Sequence, residues 1–413
     1  MTRAIAPIAC ALCLSTSVLG AEFTVNREAD GVDFNPGNGV CEVGDGVGDC
    51  SLRAAIMETN ALGGAHLVNL PNGVFPLTLA GDDSESAVGD LNVLGTELTL
   101  SGAGQADSII DGNGIDRVMS ISVGQVLLRD LTIRNGAGTA SSALGGAISL
   151  FGGPTPNVLT LRRVHLSNNS ANAGGALFAA GNGVVTIEDS RFTENTTVPL
   201  GVTNLNGSSI YCLGCMLDIS GSTFTGNHVG GKTITVESDA VLRVINSTIS
   251  GNDEGGIRTQ NADATIRFST LTNNGGQNLS HFSFDDTKVM QVGASVLQHD
   301  SSENCQTGGD LPVSLGYNVS GDDSCEWAGT GDLQSTDALL GPLQDNGGLT
   351  STRAPVEGSA AIDRVPVGAC TDLADAPLER DQRGFLRPVG DHCDAGAVEV
   401  VSQILLLDGF ESD

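Results

Sequence analysis

Apolar residues in the middle of the chain recur at the spacing of β-strands. Seven times, two apolar residues that are two positions apart are followed, five residues after the second, by a third apolar residue, which we call the anchor. The seven anchors are Ile133, Leu166, Phe192, Phe224, Ile249, Leu271 and Leu297. A two-residue spacing places both side chains on one side of a strand, and the odd five-residue step then requires a bend into a second strand.

The bent-strand pattern repeats along the chain and predicts a solenoid. Successive anchors lie 22 to 33 residues apart, and glycine-rich phrases such as 145–148, 174–177 and 255–257 follow them. One such unit cannot bury its own apolar side, whereas stacked units can. We therefore predict an all-β protein that forms a single-stranded, right-handed parallel β-helix, whose hand follows the general preference for right-handed crossovers.

An asparagine lies three residues after five of the seven anchors. These asparagines are Asn169, Asn195, Asn227, Asn252 and Asn274, whereas Gly136 occupies the position in the first repeat. A buried asparagine at a corner can bond its equivalents in the coils above and below. We predict a structural asparagine ladder, and the alternative is a row of ligand-binding amides.

The ends of a β-helix need caps because they expose unpaired backbone and core. Ser51 is a favourable N-cap for a helix over residues 52–62, which Gly63 and Gly64 would end. We predict an N-terminal cap at 22–64, coils at 65–310, a loop-rich C-terminal cap at 311–400 and a tail at 401–413.

The N-terminus and the cysteines indicate export. In residues 1–21, Arg3 precedes an apolar stretch that ends in small residues, as in a secretory signal peptide. The chain has 10 cysteines, and the eight that follow this segment fall in close pairs that predict disulfides in an oxidising compartment. The predicted disulfides are Cys41–Cys50, Cys212–Cys215, Cys305–Cys325 and Cys370–Cys393. Half of a zinc or redox site is the alternative for Cys212 and Cys215, but the sequence places no histidine beside them.

The charge of the chain excludes one class of partner. Lys and Arg total 19 against 49 Asp and Glu, which gives a formal net charge of −30. Such a surface repels nucleic-acid backbones and anionic membranes. A hydrophobic content of 40% is too high for a disordered acidic chain, and only 4% aromatic residues is unlike a helical globule.

The sequence shows no established catalytic or metal-binding motif, and we predict no cofactor and no metal. The candidate pairs for acid–base chemistry are Asp82-Asp83, Asp253-Glu254, Asp285-Asp286 and Asp322-Asp323, all of which also suit solvated corner loops. A second candidate constellation consists of Asp381, Arg383, Arg387, Asp394 and Glu399. We interpret it as a salt-bridge network of the C-terminal cap, because arginine suits fixed bidentate pairing.

Three resemblances to known families agree with this interpretation. The phrases at 192–195 and 224–227, together with the glycine-rich phrases, resemble the repeats of polymorphic outer-membrane proteins. Residues 50–56 resemble the signature of CSLREA-domain proteins, with Ala54 in place of the family's Glu. Residues 342–350, 360–363, 381–388 and 393–399 resemble the choice-of-anchor Q domain of exported bacterial β-helix proteins. Together the resemblances imply a surface-exposed β-helix with a cell-envelope or extracellular role.

The sequence predicts an exported, non-catalytic protein that binds glycans or surfaces in the manner of an adhesin. One alternative is a polysaccharide lyase or glycoside hydrolase that uses paired carboxylates, since parallel β-helices also carry such enzymes. A purely structural envelope protein is the other. The predicted partner is a polysaccharide or cell-surface glycan, with no nucleic acid and no membrane-spanning segment in the mature chain.

Overall fold

A computed structural model describes residues 20–139, 144–199, 206–284, 287–299, 302–306 and 309–400. Within these ranges the protein has one α-helix, one short 3-10 helix at Val367–Ala369 and 29 strands. The predicted signal peptide, apart from its last two residues, and the predicted tail lie outside the described residues, as does the pair Asp285-Asp286.

The described elements follow one another in short segments. The first part of the chain contains β1 Glu22–Thr24, α1 Leu52–Leu62, β2 Gly64–Leu70, β3 Gly73–Pro76, β4 Leu91–Gly102, β5 Ser108–Asp111, β6 Met119–Arg134, β7 Ile148–Phe151, β8 Val158–Ser167, β9 Ser170–Ala171, β10 Leu177–Ala180, β11 Val184–Glu188, β12 Arg191–Thr193 and β13 Thr196–Thr197. The second part contains β14 Ile210–Leu213, β15 Met216–Ser220, β16 Thr223–Thr225, β17 Ile234–Glu237, β18 Val241–Ile245, β19 Thr248–Ser250, β20 Ile257–Gln260, β21 Asp263–Arg267, β22 Thr270–Thr272, β23 Leu279–Phe282, β24 Met290–Gly293, β25 Val296–Gln298, β26 Val313–Gly316, β27 Val319–Ser320, β28 Val365–Pro366 and β29 His392–Cys393.

The strands stack in three parallel faces, one coil upon the next. Face 1 consists of β7, β10, β14, β17, β20, β23 and the first parts of β4 and β6. Face 2 consists of β1, β2, β11, β15, β18, β21, β24, β26, the end of β4, the middle of β6 and the start of β8. Face 3 consists of β3, β5, β12, β16, β19, β22, β25, β27 and the ends of β6 and β8. The protein is therefore an all-β, right-handed parallel β-helix, as the sequence predicts.

The core is a column of aliphatic side chains that runs the length of the coils. All seven anchors, and both apolar residues before each of them, are at most 2% exposed and belong to one cluster. Phe192 and Phe224 stack in this column with ring centroids 4.6 Å apart. The cluster extends from Phe23 to Trp327, so coil stacking begins before residue 65 and continues beyond residue 310.

The five predicted asparagines form a ladder at the corner that follows face 3. Asn195 illustrates one rung: its side-chain amide donates to Asn227 Oδ1 at 3.0 Å, and its own Oδ1 accepts from Asn169 Nδ2 at 3.0 Å. The same bonds join the rungs as far as Asn274, and the backbone N–H of Gly136 donates to Asn169 Oδ1 at the first rung. These asparagines are at most 2% exposed, so they satisfy interior groups.

A second ladder, of serines, occupies the corner between faces 2 and 3. Each hydroxyl accepts a bond from a backbone N–H one coil earlier, which belongs to Val164 at the first rung and to a serine at the others. Each hydroxyl also donates to a carbonyl two residues before it in sequence. Its members are Ser190, Ser222, Ser247, Ser269 and Ser295, and Asn318 ends it. This ladder is not among the predicted features, although each serine lies two residues before an anchor.

The helix α1 covers the first coil, as predicted. Ser51 caps it by accepting a bond from the N–H of Ala54 at 3.0 Å, and Gly63 ends it with a φ of 61°. Arg53, on the buried side of the helix, is fully buried and pairs with Asp30 at 2.7 Å. The pair ties the preceding loop to the helix, and Asp30 also accepts bonds from the N–H groups of Thr78 and Leu79, which follow β3.

Four disulfides join the cysteines in the pairs that the sequence predicts. They link Cys41 to Cys50, Cys212 to Cys215, Cys305 to Cys325 and Cys370 to Cys393. Cys212 and Cys215 lie in the wall of the core and are at most 3% exposed. Because both sulfurs are in a disulfide, this pair does not form half of a zinc site in this structure.

The C-terminal region caps the last coil and also runs back along the β-helix. Trp327 is 5% exposed over the end of the core. Residues 337–400, which we call the C-terminal arm, then lie against face 3, where they form a second apolar cluster with Phe268 and Val296. Hydrogen bonds join Thr350 to the Gly221 carbonyl, and Ala397 to the Thr270 hydroxyl. The arm therefore removes most of face 3 of the later coils from solvent.

Replacement of a ladder residue should destabilise the whole rod. Asn227→Ala is expected to lower the free energy of unfolding by about 3 kcal/mol, because it leaves several buried groups without partners. Urea unfolding followed by circular dichroism measures the change. Asn182→Ala is the matched control, since Asn182 lies at an exposed corner, and its effect should stay within about 0.5 kcal/mol. Equal losses in the two variants would contradict a structural role for the ladder.

Gln382 should hold the C-terminal arm on face 3. Its side chain is 4% exposed, accepts a bond from Thr248 Oγ1 at 2.6 Å and donates to Thr223 and Thr350 hydroxyls at 2.9 Å. We expect Gln382→Ala to speed proteolysis within residues 337–400 while the coils stay resistant. Limited proteolysis with mass spectrometry tests this against Gln344→Ala, whose side chain is exposed. Unchanged cleavage in Gln382→Ala would show that the arm does not depend on this contact.

Candidate functional site

Face 1 presents a continuous row of outward side chains that the C-terminal arm does not cover. In each strand of this face the first and third residues point into the core, so the second and fourth point outward. The second positions are Ser149, Phe178, Tyr211, Thr235, Arg258 and Ser280. The fourth positions are Phe151, Ala180, Leu213, Glu237, Gln260 and Phe282.

The row begins with aromatic side chains. Phe151, Phe178 and Tyr211 lie on three successive coils, with ring centroids 5.5 and 5.7 Å apart. Phe178 and Tyr211 are packed against Leu144 and Ala173 and are nearly buried, whereas Phe151 is 40% exposed. The aromatic half is thus a fixed apolar surface with one accessible ring.

The row becomes polar at the next coils. The Tyr211 hydroxyl donates to Glu237 Oε2 at 2.9 Å, and burial, together with this carboxylate, raises the pKa of the phenol. Arg258 bonds to Gln260 and lies over the ring of Phe282 at 5.6 Å. A phenol, a carboxylate, a guanidinium and an amide therefore lie side by side, and these groups hydrogen-bond to sugar hydroxyls.

Lys232, one of two lysines in the chain, borders the polar half. Its stem passes Gly255, where an added Cβ would lie 2.5 Å from Nζ, and its ammonium donates to Gln277 Oε1 at 2.9 Å. Burial lowers the pKa of Lys232 to about 8; Glu254 opposes this shift and Arg258 adds to it. The glycines at 255 and 276 leave the space that the side chain occupies.

Three polar atoms in neighbouring second positions have no hydrogen-bond partner among the described residues. They are Thr235 Oγ1, Arg258 Nε and Ser280 Oγ. Thr235 and Ser280 are at most 1% exposed, and the register places them directly on either side of Arg258. We refer to Tyr211, Lys232, Thr235, Glu237, Arg258, Gln260 and Ser280 as the face 1 cluster.

The acidic pairs that are candidates for acid–base chemistry lie at separate corners, where their carboxylates bond to neighbouring groups. Asp83 accepts bonds from the N–H groups of Glu85 and Val88 within its own loop. Asp322 accepts from the N–H groups of Asn304 and Ser324. Asp253 bonds to His228, and the structure does not bring the described pairs together on one face.

The C-terminal constellation holds the arm in place. Arg387 is 2% exposed, pairs with Glu399 at 3.1 Å, donates to Asn246 and lies over the ring of Phe268 at 4.9 Å. Arg383 pairs with Asp381 at 2.7 Å. Burial and the nearby Glu399 raise the pKa of Asp394 to about 7, although its oxygens also accept two backbone N–H bonds. These contacts join the arm to the coils, which accounts for the network without a bound ligand.

A shallow cavity of about 420 Å³ lies between face 2 and the arm. Asp218, Arg243 and Thr186 contribute polar groups to it, and Ile245 and Leu373 contribute apolar ones. Burial raises the pKa of Asp218, which lies 3.5 Å from Arg243. The cavity has fewer polar groups than the face 1 cluster, and we treat it as the secondary feature.

Neither a metal centre nor a membrane-spanning helix is evident in the part of the chain that the structure describes. Within it, no group of three His, Cys, Asp or Glu side chains is arranged to hold a metal ion. Within the same residues, no helix combines the length and the hydropathy needed to cross a bilayer.

The sequence matches no family model and no curated protein. Among solved structures, the A-module of mannuronan C-5 epimerase AlgE4 from Azotobacter vinelandii is similar over 75% of this chain and 96% of its own, at 18% identity and a TM-score of 0.32. The A-module of AlgE6 from the same organism is similar over 68% of this chain and 90% of its own, at 15% identity and a TM-score of 0.32. At these values we transfer no residue role or activity. The resemblances to the CSLREA and choice-of-anchor Q families stay predictions.

The face 1 cluster is not among the sites that the sequence predicts. Apart from Lys232, its members lie one and three residues after the first residue of each face 1 strand, and the repeat contains this register. Arg258 and Glu237 differ from the apolar or small residues at equivalent positions of earlier coils, such as Phe178 and Ala180. A change of chemistry within a fixed register is the signal that could have found them.

His228 should titrate above the ordinary histidine pKa of 6.5. Its two ring nitrogens lie 2.8 Å from Glu194 and 2.9 Å from Asp253, and these hydrogen bonds raise the pKa of the imidazole. NMR titration should show the raised value, and Glu194→Gln or Asp253→Asn should lower it. The pair contributes stability below pH 6.5 that is lost as the pH rises through the raised pKa. A pKa of 6.5 or lower in the wild type would contradict the contacts.

Proposed function

We propose that the protein is an exported glycan-binding protein whose ligand lies along face 1. The observation that carries the proposal is the row of aromatic and then polar side chains on successive coils, with unpartnered donors beside Arg258. Sugar rings present apolar faces and hydroxyl edges, and such a ligand fits a surface that offers both kinds of contact.

The spacing of the row favours a polymer over a single sugar. Neighbouring coils are about 4.8 Å apart, so the six strands from Phe151 to Phe282 span roughly 24 Å. A row of this length can contact several successive sugar units of a chain. This geometry supports an extended polysaccharide or a cell-surface glycan as the ligand.

Export is supported by the four disulfides, since these form and persist in oxidising compartments. The net charge of −30 keeps such a rod soluble and disfavours anionic membranes. An adhesin-like role, in which the long face contacts surface glycans, agrees with both features.

Polysaccharide cleavage is the second candidate function. The observation that favours it is Lys232, whose ammonium lies against Gln277 within the field of Arg258 and whose lowered pKa of about 8 suits proton transfer. Incubation with a panel of polysaccharides, with assays for unsaturated products and new reducing ends, separates the two functions. Products that form with the wild type and not with Tyr211→Phe would favour an enzyme.

Gln260→Ala should weaken glycan binding by about fivefold, because it removes one amide from face 1 without burying a charge. A glycan array identifies the ligand, and calorimetric titration of the wild type and the variant gives the ratio of dissociation constants. Gln291→Ala is the matched control, since Gln291 points outward from face 2. The absence of binding to any glycan, or equal losses in the two variants, would refute the proposal.

A further inference from the structure

We infer that the glycan bears an anionic group, and that Lys232 and Arg258 of the face 1 cluster bind it. The inference rests on the proposed function and deepens it by naming the chemistry of the ligand. The group is a carboxylate or a sulfate on the sugar, since both offer the oxygen atoms that ammonium and guanidinium donors require.

Lys232 has no ion-pair partner within 4 Å among the described residues. Among the described residues its ammonium contacts the neutral amide of Gln277 and forms no ion pair, whereas Lys288, the other lysine, pairs with Asp239 and Asp263. The ammonium is partly buried and its pKa is lowered to about 8. A desolvated cation without a partner costs free energy, and a ligand anion would offset that cost.

Arg258, on the same face, has an N–H group without an acceptor. Its guanidinium bonds to the neutral Gln260, and its Nε has no acceptor among the described residues. Thr235 and Ser280, which flank it in the stack, have hydroxyls without partners. All three atoms are shielded from solvent, so a ligand oxygen reaches them only when the side chains that cover them move aside.

Among the described residues, the carboxylates near Lys232 and Arg258 form no ion pair with them. Glu237 accepts the Tyr211 hydroxyl, and Glu254 is exposed to solvent. Glu254 acts on Lys232 only through its field, since it raises the pKa of the ammonium against the effect of burial. The face 1 cluster thus keeps two cations available on a protein whose net charge is −30.

The net negative charge of the protein bears on how an anionic ligand could bind. A polyanion is repelled by the surface as a whole, so its binding depends on a local site rather than on general attraction. The equivalent position on the first coil of the row supports a local interpretation. There Ser149 bonds to Ser120 at 3.3 Å, so a serine in this stack does not in general lack a partner.

Two matched pairs of polymers test the charge of the ligand. Polygalacturonate is compared with its methyl ester, and dextran sulfate with dextran, by calorimetric titration of the full chain. We expect the wild type to bind at least one charged polymer about tenfold more tightly than its neutral counterpart. The first pair reports carboxylate recognition and the second reports sulfate recognition.

Variants then locate the charge preference. Lys232→Gln and Arg258→Gln should each abolish the roughly tenfold preference, while Lys288→Gln, the control, keeps it. Thr235→Val removes an unpartnered buried hydroxyl, so it should weaken binding of the charged polymer about fivefold and leave the melting temperature unchanged or higher. This combination separates a binding role from a structural one.

The outcomes are distinguishable. Equal binding of charged and neutral polymers, or a preference that survives in Lys232→Gln and Arg258→Gln, would overturn the anionic ligand and leave the glycan-binding function standing. Failure of every polymer and every array glycan to bind would overturn both. A melting temperature that falls in Thr235→Val would show that its hydroxyl serves the fold.

Discussion

The backbone amides at the corners of the coils impose the constraint on which the rest of the structure depends. Strands of neighbouring coils satisfy one another, but a corner residue turns its N–H away from the ladder of the strands and into the interior. An unpaired amide there costs about 1–3 kcal/mol, and the cost recurs in every coil. The asparagine and serine ladders supply one side-chain acceptor for the backbone N–H at each corner, as for the N–H groups of Asn195 and Ser222. Because each rung bonds the next, the register of every coil fixes that of its neighbour.

This constraint separates the residues that stabilise the rod from the outward residues that the fold does not require. The inward apolar positions and the two ladders recur with little variation along the coils. The C-terminal arm then occupies the outer side of face 3, where Gln382 and Arg387 join it to the corners. The outward positions of face 1 are needed neither for the stacking of the coils nor for the attachment of the C-terminal arm. Its change from Phe178 and Tyr211 to Thr235 and Arg258 therefore calls for an explanation other than coil stacking.

Sequence reasoning was successful where the structure is periodic. The anchors, the cap at Ser51 and the fold class follow from spacing alone, because period-two alternation and helix capping are local rules. The position of the arm could not be derived in this way. Gln382 meets Thr248 across 134 residues, and no local pattern encodes a contact at that distance. The repeat gives the positions of the face 1 cluster. Its members are recognised only from the residues that differ from those at equivalent positions of other coils.

The departures in face 1 carry a thermodynamic argument. A buried hydroxyl without a partner destabilises the fold by about 1–3 kcal/mol, and valine in place of Thr235 would avoid that cost at nearly equal volume. Ser280 and Arg258 Nε add similar costs in adjacent coils, and Lys232 adds a desolvated charge. Other buried polar atoms of the described residues also lack partners, at Arg129 and Ser209 for example, but in face 1 three of them lie in register on adjacent coils. On the proposed function, a ligand supplies acceptors to this row, so that stability given up in the free protein is recovered on binding.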